Sequence, residues 1–297
     1  MPCAVSPDIS RRGYGASAMA GVEARDVARR RLPWAIIPAA GLGTRLRPAT
    51  DTIPKALMPV GLRPMIDWAI DEALDAGVGA IIVIVAPDQP QVTAHVEARI
   101  ATPEWPREVE LHLVEQPRPA GLGDALIRCR PWTGEDSFGV VVPDNWFDAP
   151  CSPLGQVAGA HFRTGMSAIG LIEVSAESAV LLGNVGEVEL ESIDDRDFRI
   201  TRLGDKAAGT FAIWGSAPML RGCARYALGP AFYDALEATG PPPSGEWDDV
   251  PAFQRLVSGD GLVGHQLQGR HFDVGQKGGY LAAMSYLFER DIMGSGA

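Results

Sequence analysis

PAAGLGTRLRPATDTIPKALMP, residues 38–59, is the stretch that decides how this chain folds. It follows WAIIP at Trp34–Pro38, a short continuous apolar run of the kind a fully buried parallel strand shows. A strand that runs into small residues must turn tightly, and Gly41 and Gly43 supply the backbone freedom for it. In such a turn successive N–H groups can face the oxygens of a phosphate. Arg45 and Arg47 bring positive charge into the loop, and Lys55 follows after Pro54 has bent the chain back. The loop is no dinucleotide fingerprint, because GxGxxG needs glycine where Leu46 stands, and it is no P-loop, because GxxxxGK[ST] is absent. On the glycines and arginines alone, a plain strand-to-helix turn with solvated charges stays open. The added PAT, PK and MP make accident harder.

Downstream, helical and strand patterns alternate. MIDWAIDEALDA at Met65–Ala76 places Ile66, Ala69, Ile70 and Ala73 at helical spacing, with Gly77 as the stop. AIIVIVA at Ala80–Ala86 reads as a second buried strand. Pro90–Ile100 reads as a helix, Val109–Val114 as a strand and Gly123–Cys129 as a helix. SFGVVV at Ser137–Val142 is a further strand, ending in Pro143-Asp144-Asn145. This alternation predicts an α/β protein with a mixed, mostly parallel, Rossmann-like sheet sandwiched by helices. After about residue 150 the texture changes. Gly186–Leu190 and Phe198–Leu203 alternate around a turn at Asp194-Asp195, as antiparallel hairpins do. Ala231–Ala238, Pro251–Val257 and Gly279–Phe288 read as helices and Leu262–Leu267 as a strand. A small lobe inserted in this second half is expected. Residues 1–32 stand apart as an Arg-rich, mobile leader without the apolar core of a secretory signal.

Composition narrows the function classes. In a chain of 297 residues, 46% hydrophobic and 21% charged content excludes overall disorder. No apolar run approaches the roughly 18 residues of a membrane span. Against 26 basic residues stand 37 acidic ones, a formal charge of −11. Such a surface repels nucleic-acid backbones and anionic lipid, so neither is an expected partner. A polyphosphate must therefore be met by local cations, backbone N–H groups or a metal. Cys3, Cys129, Cys151 and Cys223 show neither zinc-ligand spacing nor a disulfide framework, which suits a reducing cytoplasm.

The string GLGTRLRPAT…IPKALMPV resembles the signature of the sugar-1-phosphate nucleotidylyltransferases, the family of UDP-glucose and dTDP-glucose pyrophosphorylases. Further matches follow in order. EQPRPAGLGDA at Glu115–Ala125 resembles the nucleotide-base loop and VPDNWF at Val142–Phe147 the metal-site strand end. GEWDD at Gly245–Asp249 is similar to an acidic segment before a helix, and FDVGQKGGYLA at Phe272–Ala282 to the closing element. The likeness spans roughly residues 33–288. It implies a nucleotide-diphospho-sugar transferase fold with a nucleotide-binding half, 33–150, and a sugar-binding half, 151–297.

The implied activity is Mg²⁺-dependent transfer of a nucleotidyl group from an NTP, UTP before dTTP, to a sugar-1-phosphate, with pyrophosphate leaving. By resemblance Arg45 grips the outer phosphates and Lys55 reaches the reacting centre. Ala40, Gly41, Gly43, Gln116 and Gly121 hold the nucleotide, Gln116 through an amide that can donate and accept at a pyrimidine edge. Asp144 and Asp273 hold Mg²⁺, and a homo-oligomer is expected. The sugar side departs from the family. Its Glu-Lys-Pro has no clean copy, and the nearest match is Asp205-Lys206-Ala207, with Gly183 as the sugar-side glycine. The shorter Asp205 points toward a modified hexose or a cyclitol phosphate as acceptor. The altered motif also leaves a non-catalytic, sugar-nucleotide-binding regulatory homologue as the alternative. His112, His161 and His271 read as structural histidines and His95 as an exposed one.

Overall fold

The computed structural model describes residues 30–183, 187–204, 219–243 and 245–293. The apolar runs form the expected core strands. β1 (Trp34–Pro38), β2 (Ala80–Val85), β3 (Glu110–Glu115) and β4 (Phe138–Val141) lie parallel in the order β3-β2-β1-β4. Side chains alternate between two apolar clusters. Ala35 and Ile37 face one of them and Ile36 the other, so β1 at the centre of these strands is buried on both faces. α1 (Met65–Asp75), α2 (Pro90–Ile100) and α4 (Pro153–Thr164) cover the first face. α3 (Leu122–Ile127), α5 (Ala231–Thr239) and α6 (Val250–Ser258) cover the second. α1 ends where expected, with Gly77 at φ 74 just past the last turn.

The second half extends the same sheet. β6 (Ser167–Val174) and β9 (Met219–Leu228) pair antiparallel, and β9 also pairs antiparallel with β4. β10 (Leu262–Gln266) lies parallel to β6. The expected hairpin is present as β7 (Val188–Ser192) and β8 (Asp197–Leu203), paired antiparallel with Phe198 opposite Ser192. It closes the far edge of a nine-stranded sheet. β6 and β9 carry no clear period in the sequence, because they are covered on both faces and Arg221 and Arg225 interrupt the apolar run of β9. A short second sheet, β5 (Asn145–Asp148) with β11 (Arg270–Asp273), sits beside the main one and is followed by α7 (Lys277–Met293).

Most histidines are structural. His161 belongs to α4, and it contacts Met166 O and Ser137 Oγ. His95 is not free on the surface: α1 and α2 lie side by side, and its Nε2 is 2.8 Å from Asp67 Oδ1. Arg30 to Leu32 already pack on the fold, with Leu32 in the core and Arg30 over the Phe162 ring. No disulfide links the described cysteines. Among the described residues no helix is long and apolar enough to cross a membrane.

Asp197 gives the fold a pH dependence. It lies opposite His265 in the β8–β10 pairing, with Oδ1 2.5 Å from His265 Nδ1 and Oδ2 2.7 Å from Arg163 Nη2. Burial would raise its carboxyl, but the hydrogen bonds from His265 and Arg163 overcome this and hold it below the ordinary range. Its contribution is therefore complete above about pH 4, the unfolded value, and is lost as pH falls through the lower folded one. Asp197→Asn is expected to destabilise the protein at neutral pH. The gap from wild type should close in more acidic buffer, as urea unfolding across pH would read.

Candidate active site

The parallel strands all end at one edge, and the loops that leave three of them carry a residue with chemistry. β1 opens into the Gly41 loop, β3 ends beside Gln116, and β4 runs through Val142 and Pro143 to Asp144. Ligands of open α/β sheets sit at this carboxyl edge. Asp144 and Asp273 are far apart in sequence, and the small β5–β11 sheet joins them by placing Asn145 opposite Asp273. Val274 N then donates to Asp144 O at 2.8 Å. Gly275 must lack a side chain, since a Cβ there would lie 2.4 Å from Asp144 Oδ2. Asp273 is fixed by two backbone donors, Gly183 N at 2.7 Å and Gly275 N at 3.1 Å. Gly183 is thus drawn into the site. A Cβ on it would strike Gln276 Nε2, Arg45 Nη1 and Asp273 Oδ2.

The Gly41–Pro59 loop delivers two cations to the same carboxylates. Gly43 adopts φ 66, and a Cβ there would meet Lys55 Cβ at 2.8 Å and Thr50 Cγ2 at 2.9 Å. The Thr50 hydroxyl closes the turn by donating to Gly43 O at 2.7 Å. Lys55, pressed against that turn, directs Nζ onto Asp144 Oδ2. Arg45 Nη2 lies 3.8 Å from the same oxygen, on a side chain that is 43% exposed. Asn145 Nδ2 donates to Asp144 Oδ1 at 3.0 Å. Burial alone would raise the Asp144 carboxyl, but Lys55 and Arg45 outweigh it and bring it down to about 2. Asp273 moves the other way, raised by burial and by the neighbouring charge of Asp144. Two carboxylates in mutual repulsion form a seat for a hard cation. Among the described residues no group of three or more His, Cys, Asp or Glu side chains could hold a metal. Two hard carboxylate donors, Asp144 and Asp273, are a set compatible with Mg²⁺, which takes one or two carboxylates and completes its shell from substrate phosphate and water.

Gly41 borders a small cavity of ≈ 40 Å³ that it shares with Lys55 and Asp144. Nothing would meet a Cβ placed on Gly41, whereas Ala40 packs into the core. Gln116 is buried, and its Nε2 donates to Gly121 O at 3.0 Å and Asp124 Oδ2 at 2.8 Å. Gly121 shows a constraint that the sequence did not reveal. The space a side chain would occupy is filled by the Trp247 backbone, with its O 2.5 Å from a Cβ. At φ 99 and ψ 174 the position is also one that essentially only glycine adopts. Gly121→Ala is expected to cost about 1–3 kcal/mol on backbone strain alone, with more from the clash, as chemical denaturation would measure. Asp205 and Lys206 lie outside the described residues.

A larger cavity of ≈ 210 Å³ opens beside Asp144 and Asp273, bordered by Leu122, Cys223, Tyr226, Asp249, Phe253 and His271. Tyr226 donates to Asp249 Oδ2 at 3.0 Å. Burial and the Asp249 charge push its phenol well above the usual value, so it stays a neutral donor. His271 contacts Asn145 Oδ1 at 3.0 Å, and burial together with the Arg225 charge lowers it to about 3. Beneath the site, Arg225 forms a two-point pair with Glu72, at 2.7 and 2.9 Å. Sequence reading passed over this pair. The available signal was Glu72 itself, a carboxylate on the Met65–Ala69–Glu72–Ala76 stripe of α1, whose first two residues are buried.

Known proteins resemble this chain in sequence and in fold. A nucleotidyl transferase family model matches residues 34–206. A UTP–glucose-1-phosphate uridylyltransferase of Bacillus subtilis is 28% identical over 267 residues, 83% of this chain and 88% of that protein. One from Pseudomonas aeruginosa is 28% identical over 281 residues, 86% of this chain and 95% of its own. The structure of a UTP-bound UGPase from Acinetobacter baumannii superimposes with a TM-score of 0.69 at 26% identity, covering 87% of this chain and 94% of that one.

Proposed function

The chain belongs to the nucleotidyl transferase family, and from that premise we propose that it transfers the uridylyl group of UTP to a sugar-1-phosphate, releasing pyrophosphate. The observation that carries this reading is the convergence of Arg45, Lys55, Asp144 and Asp273 at the carboxyl edge of the sheet. Reactions of this class need positioning and neutralised charge more than covalent help. An oxygen of the sugar phosphate attacks the α-phosphorus in line, and the bond to the pyrophosphate oxygen breaks as the new one forms. Arg45, on its half-exposed arm, meets the departing pyrophosphate. Lys55 turns from Asp144 toward the oxygens of the reacting phosphate. Asp144 and Asp273 would hold Mg²⁺, which when bound would neutralise phosphate charge. His271 stays uncharged near neutrality and leaves that charge balance undisturbed.

The half formed by 33–150 carries the nucleotide and the half formed by 151–297 the sugar. The ≈ 210 Å³ cavity, with the Tyr226 hydroxyl and Asp249 on its wall, suits a polyhydroxylated ring. The names of the relatives favour glucose 1-phosphate as acceptor. The departure at Asp205-Lys206 keeps a modified hexose or a cyclitol phosphate in the test panel. The deciding experiment measures pyrophosphate release from each NTP against a panel of sugar-1-phosphates, with Mg²⁺ and then with EDTA. Release with UTP and one acceptor, abolished by EDTA, is expected. Nucleotide binding without turnover for every pair would replace this reading with that of a sugar-nucleotide-binding regulatory homologue.

A further inference from the structure

We propose that Asp124 and Arg128 form a positioning device that presents Gln116 to the nucleobase as a hydrogen-bond acceptor. It selects uracil or thymine, which carry N–H at ring position 3, over cytosine, which carries a lone pair there. The inference rests on the nucleotidyl-transfer reading of the same site.

The Gln116 side chain is only 5% exposed and follows β3 directly, its own N–H donating to Val85 O at 2.9 Å. This places it at the carboxyl edge, next to the strand whose Ile84 O receives Ala39 N at the mouth of the glycine loop. A primary amide has two hydrogens on nitrogen and two lone pairs on oxygen, and which end faces a ligand depends on its neighbours. Here both hydrogens are committed, one to Gly121 O and one to Asp124 Oδ2. Neither partner has a hydrogen to give while Asp124 is ionised. Turning the amide over would set Oε1 against a carbonyl and a carboxylate at once. Among the described residues Oε1 receives no hydrogen bond, so it is the polar end left for a ligand.

Both partners are themselves held. Arg128, one helical turn beyond Asp124, grips its carboxylate at two points, Nε to Oδ2 at 2.9 Å and Nη2 to Oδ1 at 3.0 Å. Burial would raise the Asp124 carboxyl, but the hydrogen bonds from Arg128 and Gln116 more than offset it. The carboxylate stays ionised and able only to accept. Gly121 O cannot drift, because Trp247 clamps the loop on both sides. Trp247 N donates to Ala120 O at 2.6 Å and Gly123 N to Trp247 O at 2.8 Å. A side chain at Gly121 would break that clamp.

The test compares kcat/KM for UTP and for CTP, with one sugar-1-phosphate, in wild type, Asp124→Ala and Arg128→Met. Wild type is expected to prefer UTP, and Asp124→Ala to lower the UTP:CTP ratio by about tenfold, the scale of one charge-assisted hydrogen bond. Arg128→Met, at a side chain 37% exposed and so tolerant of replacement, should lower the ratio by a smaller factor. It carries the test if Asp124→Ala does not fold. A purely structural role would reduce both substrates alike and leave the ratio unchanged. That result, with wild-type turnover of UTP intact, overturns this proposal and leaves the assigned reaction standing. Wild type that neither binds nor turns over any NTP would sink the reaction and this inference with it.

Discussion

Lys55→Met is expected to lower the rate of pyrophosphate release by ~10²–10³, the usual cost of one preorganised cationic donor at a phosphoryl centre. Methionine keeps the apolar stem that packs on the Gly43 turn and removes only the ammonium. The same change leaves the buried Asp144 carboxylate with Arg45 at 3.8 Å as its remaining cation and with Asp273 still beside it. The Asp144 carboxyl, now near 2, should move upward, because burial is no longer outweighed. A second readout follows. The variant should melt below wild type in metal-free buffer, and added Mg²⁺ should raise its melting temperature more than it raises that of wild type. Steady-state kinetics and thermal melts with and without Mg²⁺ give both numbers. Unchanged turnover would remove Lys55 from the mechanism.

Arg225→Met is expected to be the most destabilising single change near the site. The guanidinium is 2% exposed and grips both Glu72 oxygens. It also donates to Val142 O at 3.0 Å, to Ala224 O at 2.9 Å and to Asn145 O. It therefore ties β9 to α1 through the turn that presents Asp144. Glu72 Oε1 in turn accepts Leu154 N at the start of α4. Removing the cation leaves the buried Glu72 carboxylate without its ion-pair partner and takes a donor from the turn carbonyls Val142 O and Asn145 O, which costs about 3–5 kcal/mol. For a chain of this length that corresponds to a fall in melting temperature of roughly 10 °C. Turnover should fall as well, because the Asp144–Asn145 turn loses its support. Glu72→Leu on the Arg225→Met background should add much less than it costs alone, since the two side chains act as one unit. Calorimetry of the four proteins of this cycle would measure it, and strict additivity would show that the pair is not coupled.

The parts of this protein that local spacing can specify were legible before any coordinates. Trp34–Pro38 and Ala80–Val85 are apolar runs bounded by turn residues, and Ile66, Ala69, Ile70 and Ala73 mark one face of a helix. The mostly parallel sheet follows from their alternation. Ser167–Val174 and Met219–Leu228 were not legible, although they lie in the middle of the sheet. A strand covered on both faces loses its period, and β9 carries two arginines that burial disguises. At Gly121 the Trp247 backbone fills the space a side chain would take, a contact across more than a hundred residues that no local pattern encodes.

The chemistry divides in the same way. Which residue types serve as cations, carboxylates and amide can be read from GLGTRL, IPK, PDN and EQPRPAGLGDA, because each motif is a run of neighbours. What they do to one another was decided in three dimensions. Asp144 and Asp273 meet only because β5 and β11 pair with Asn145 opposite Asp273. A slip of one residue there would send every side chain of the strand to the other face. Gln116 shows its oxygen rather than its nitrogen only because Asp124 and Gly121 O both lie against Nε2. Periodicity is a property of adjacent residues and survives in a one-dimensional string. Register, burial and the orientation of an amide are properties of distant partners, and only the folded chain brings those together.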